Sequence, residues 1–78
     1  MKARAARRGQ RVRVTKTGTV AAAGELGTIH ECRGWNYWHG EVISRFLMVW
    51  IDTMPDGRPT RRVVSISSNE VEREPVER

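Results

Sequence analysis

A chain of 78 residues is enough for one domain, and a domain this small removes only about 60% of its unfolded surface from water, so its stability rests on a thin margin. Its longest apolar run, residues 46 to 51, falls far short of the roughly eighteen residues a membrane-spanning helix needs, and the charged start MKARAARRGQ leads into no signal-peptide core. The single cysteine excludes an intrachain disulfide and favours a reducing compartment, so a soluble cytoplasmic protein with no membrane partner is expected.

The formal charge is +5, with 14 bases against 9 acids. From Met1 to Lys16 there are seven bases and no acid, which leaves seven bases against nine acids, a net −2, in residues 17–78. The basicity therefore belongs to the first segment alone.

Residues 1–8 lack large apolar side chains and read as a flexible basic arm. In RVRVTK, Val12 and Val14 alternate with Arg11 and Arg13, the pattern of a strand that buries the valines and turns both guanidiniums to water. TGTVAAAGE, residues 17 to 25, reads as a loop with at most one helical turn, because three alanines do not nucleate a helix. LGTIHEC resumes as a strand, with Gly27 marking a bulge or a close backbone approach. RGWNYWHG, between Arg33 and Gly40, reads as an aromatic surface loop.

The run Phe46 to Ile51 suits a strand covered on both faces. TMPDGRPT then provides a Pro-Asp-Gly turn, and RRVVSIS returns as its hairpin partner, with Val64 and Ile66 inward and Arg62, Ser65 and Ser67 outward. SSNE forms one tight turn before Val71, residues 74–78 are a charged tail, and Glu70, Glu72, Glu74 and Glu77 read as a solvated end. Five strands with no long helix predict an all-β fold, a small five-stranded barrel over residues 9–73.

Gly9, Val12 and Val14, then Gly24, Gly27 and Ile29, read as G-x-x-V-x-V followed by G-x-x-G-x-I. This resembles the KOW motif of certain ribosomal proteins and NusG-type transcription factors, which lies within Src-homology-3-like (SH3-like) barrels. The linker TGTVAAA is longer than that motif's usual loop and lacks its lysines. The layout is also similar to type II dihydrofolate reductases, barrels that assemble as tetramers around a pore. Where that family carries Val-Gln-Ile-Tyr, residues 64 to 67 read VSIS, so the resemblance implies a way to oligomerise and not the activity.

The residues allow three kinds of site to be compared: metal, catalytic and nucleic-acid-binding. His30 and Cys32, two residues apart on a strand, would share a face with His39 folding back, but the spacing matches no common zinc pattern and no metal or other cofactor is expected. Ser65, Ser67 and Ser68 have no motif linking them to a base, so no enzyme is expected.

Nucleic acid is the expected partner. Lys2, Arg4, Arg7, Arg8, Arg11, Arg13 and Lys16 would contact phosphates, and Arg33, Trp35 and Tyr37 would offer a second surface on which bases stack. Trp35 and Tyr37 could equally fill the core, while Trp38 and Trp50 are expected to be covered. The other reading is a protein-interaction or assembly module, a homo-oligomer or accessory subunit, using the Trp-rich segment and the apolar strand.

Overall fold

Alternation of small apolar and polar residues produces five antiparallel strands in the computed structural model, which describes residues 1–74. They are β1 (Arg11–Val14), β2 (Leu26–Trp38), β3 (Glu41–Thr53), β4 (Pro59–Ser67) and β5 (Val71–Arg73), in one sheet of order β4-β3-β2-β1-β5. Among the described residues helical structure is limited to two 3-10 turns, Ala3–Ala5 and Ser68–Glu70, and the fold is all-β as expected. The outer part of the expected tail, residues 75–78, lies outside the described residues.

One core serves every strand. Val12 and Val14, Ile29, Leu47, Val49 and Ile51, Val64 and Ile66, and Val71 form one buried cluster. The two edge strands thus contribute to the same core, which requires the sheet to curl. It is not closed by hydrogen bonds: β4 and β5 remain edges, joined through the Ser68–Glu70 turn, in which the Ser67 N–H donates to Glu70 Oε2 at 3.0 Å. The closed barrel expected from the sequence is therefore not formed as a continuous ladder.

The strands around the centre are longer than their sequence signals. Trp38 pairs with Glu41, leaving His39 and Gly40 as a two-residue turn, both at positive φ (51° and 77°). That is the requirement of a type I′ hairpin turn. The aromatic segment is therefore a strand end and not a loop. At the other end of β3, the expected Pro-Asp-Gly turn forms, with Gly57 at φ 90° and its N–H bonded to Met54 O at 2.9 Å.

Gly27 is the close approach anticipated for it. A Cβ there would collide with the carbonyl oxygen of Trp50 on β3, at a register shift between Leu26 and Gly27. A second shift, between Ile29 and Glu31, changes which side chains of β2 face the core.

Residues 1–8 differ from the expected free arm. Ala3 and Ala6 are buried, Ala6 as part of the core cluster, and the Met1 nitrogen donates to Val71 O at 2.7 Å. Their side chains are small enough to seat the backbone directly against the sheet, a possibility that hydropathy alone does not register. Gly9, at φ 87°, then turns the chain into β1, its N–H bonded to Ile29 O at 2.7 Å.

Candidate nucleic-acid interface

The bases expected to contact phosphates fall into two groups, with Lys16 apart from both. Arg11 and Arg13 do face outward from β1, but each is matched by acids. Arg11 pairs with Asp52 and, at 3.0 Å, with Glu74, and also donates to Thr28 Oγ1 at 3.0 Å. Arg13 pairs with Glu72, its Nε donating to Oε1 at 2.9 Å. The hydrogen bond from Arg11 holds the Asp52 carboxyl below its ordinary range, and Asp52 in turn raises the guanidinium. Glu72 and Glu74, expected as a solvated end, are thus the partners of β1.

Lys16 is exposed on the loop after β1, beside a depression it shares with Ser65 and Glu70, and is separate from the first segment's other bases.

The second group is Lys2, Arg4, Arg7 and Arg8, all exposed, and none makes an ion pair among the described residues. Because Ala3 and Ala6 anchor their backbone, these side chains are spread over the β2–β3 hairpin instead of trailing in solvent. Lys2 and Arg4 border a depression with Val42 and Ile43. Arg7 donates to Arg4 O at 2.6 Å and Ala6 O at 3.0 Å, which holds the segment's own turn. Arg7 and Arg8 line a cleft of about 510 Å³ opposite Arg45, His30 and Glu31.

The aromatic residues divide differently from the expectation. Trp35 is half-buried beneath two guanidiniums, with Arg45 4.3 Å and Arg4 5.6 Å from the ring centroid, so both of those cations are engaged with it. Tyr37 is exposed near the hairpin tip, and Trp38 is 66% exposed, contrary to the cover expected for it. Arg33 is exposed, 3.4 Å from Glu31 and with its carbonyl accepting from Arg45 Nε at 3.0 Å.

Trp50 also departs from its expected burial. It is 53% exposed on the outer face of β3, where Phe46 and Met48 share its side of the strand while Leu47, Val49 and Ile51 point into the core. The run that looked doubly covered is therefore a one-sided strand whose large rings face out. Its period of two was visible in the sequence, and the branched aliphatics all fall on one phase.

His30 stacks on Trp50, ring centroids 5.0 Å apart and planes inclined 22°. Cys32 instead packs toward the core with its Sγ 3.8 Å from Ala6 O. The register shift at His30, between Ile29 and Glu31, removes the shared face that simple alternation implied. Among the described residues no three His, Cys, Asp or Glu side chains converge as a metal set, and no helix is long and apolar enough to cross a membrane.

One ion pair has a structural task. Glu25 is almost wholly buried and is met by Arg62 at 2.6 Å, tying the loop before β2 to β4. Arg62, expected outside with Ser65 and Ser67, follows strict alternation with Val64 and Ile66 and turns inward. Its hydrogen bond lowers the Glu25 carboxyl against the opposing effect of burial.

Comparison with protein-family models, curated proteins and solved structures yields no match.

Proposed function

We propose that the protein is a non-enzymatic nucleic-acid binder that uses a fixed cationic surface, formed where residues 2–8 lie against the β2–β3 hairpin. One observation carries this reading. A segment with four bases and no acid is anchored through Ala3 and Ala6, which sets Arg7 and Arg8 across a cleft from Arg45. Anchored cations lose less entropy on meeting phosphates than those of a disordered tail, and exposed rings nearby add sequence-tolerant stacking.

Titration of labelled DNA and RNA by fluorescence anisotropy between about 50 and 200 mM salt tests it. Affinity should fall linearly on a log–log scale, and Arg7→Gln with Arg8→Gln should lower the slope by roughly 2. Binding that ignores salt, or that survives the double substitution unchanged, would refute it.

A second reading, an assembly module, is supported by a different observation. Phe46, Trp50 and Val63 are each about half exposed on the sheet's outer side, with Trp50 and Val63 directly paired across β3 and β4. If this face joins two copies, sedimentation equilibrium should give a mass above the 8.9 kDa of one chain, reduced to that value by Val63→Asp. A monomer throughout would dispose of it.

A further inference from the structure

Two depressions of opposite character meet at Arg8 and His30. One is a slot of about 200 Å³ walled by the Trp50 and His30 rings, with Arg8 and Thr28 beside them and the core residue Ile29 beneath. The other is the cleft of about 510 Å³ that holds Arg7, Arg8 and Arg45, with Glu31 its one acid among the described residues. Glu31 is itself 3.4 Å from Arg33, which offsets its charge.

A nucleotide has the same division, a flat apolar base beside a phosphate that carries its charge. The His30 and Trp50 rings are already stacked, so the platform is organised before a ligand arrives. Gly9 also borders the slot and contributes no side chain to fill it.

We propose that these two depressions form one seat for an unpaired nucleotide of a single strand, with the base against Trp50 and its phosphate on Arg7 and Arg8. The proposal rests on the nucleic-acid reading above and narrows its ligand. A base inside a duplex has both faces covered by its neighbours and can lie flat on the Trp50 ring only if it is extruded from the stack. An unpaired base presents its π-face directly. Since every base has one, the seat tolerates any sequence and distinguishes strandedness instead.

The test compares a labelled oligo-dT strand with the same strand annealed to its complement, using the full chain and Trp50→Ala, Trp50→Phe and Arg7→Gln/Arg8→Gln variants. Trp50 is exposed, so its replacement opens no core cavity, and circular dichroism melting verifies each fold. The single strand should bind about tenfold tighter than the duplex, and Trp50→Ala should remove about tenfold from strand affinity while Trp50→Phe keeps most of it. Duplex binding should be indifferent to Trp50.

A duplex that binds as well as the strand overturns the seat. So does a Trp50→Ala variant within about twofold of the parent while the double arginine variant is weakened, and there the broader reading survives. Failure of both nucleic acids to bind removes the two together.

Discussion

Arg62 on β4 reaches 2.6 Å from the carboxylate of Glu25, a side chain almost wholly withdrawn from water in the loop before β2. Burial alone would raise this carboxyl, and the guanidinium reverses that effect. Removing Arg62 would leave a buried charge with no counter-charge. Arg62→Ala should cost about 2–3 kcal/mol in urea unfolding at neutral pH, less than a fully enclosed pair would lose because Arg62 still touches solvent.

The same pair sets a pH signature. Glu25 and Asp52 both lie below their ordinary values of 4.5 and 3.8 in the folded protein, so the unfolded chain takes up their protons first as pH falls. The stability they contribute is fully present above those ordinary values and is lost as pH drops through the folded ones. Urea midpoints measured from neutral pH downward should be flat above about pH 5.5 and decline below it. In Arg62→Ala, where burial raises Glu25, the gap to the parent should narrow on the acid side.

Arg11 and Arg13 were the natural candidates for phosphate contacts, yet Asp52, Glu74 and Glu72 occupy them. Freeing either would require breaking contacts already made. Arg11→Gln and Arg13→Gln should therefore change nucleic-acid affinity by no more than about twofold, whereas Arg7→Gln with Arg8→Gln should lower it about tenfold at low salt. Anisotropy titrations of the three variants and the parent under one buffer give the comparison.

Deleting residues 1–8 should destabilise the fold as well as reduce charge, because Ala6 is part of the core. Ala6→Asp separates the two effects. It leaves every base in place but puts a carboxylate into apolar surroundings, at a cost of about 2–4 kcal/mol by thermal or urea unfolding. A free arm would tolerate the change without effect.

Gly27→Ala should cost at least about 2 kcal/mol, since the added methyl meets the Trp50 carbonyl and either β2 or β3 must move. The control is Gly34→Ala, where a Cβ meets no neighbour within 4 Å and the unfolding midpoint should hardly change. Gly40 is a poor control because its φ of 77° imposes its own strain.

The residue pattern by itself determined the all-β class, the inward valines of β1, the Pro-Asp-Gly hairpin, the Ser68–Glu70 turn and the tightness at Gly27. Each follows from local chemistry, namely alternation with period two or the backbone freedom of particular turn residues. Length and pairing were less legible. The His39–Gly40 turn carries a weaker signal than Asn-Gly, so the end of β2 read as a loop, and the register shift after Ile29 undid the shared face of His30 and Cys32.

Tertiary structure alone decided which charges remain available and which rings are exposed. Arg11 and Arg13 are neighbours of Lys2 to Arg8 in the chain, but their pairing partners lie 41 to 63 residues away, brought beside β1 by the sheet order. Trp50 sits within an apolar run and still faces out, because one sheet face is filled by Leu47, Val49 and Ile51, while on the other the His30 stack leaves Trp50 about half exposed. Charge and hydropathy are properties of residues, whereas availability depends on long-range neighbours that only folding brings together.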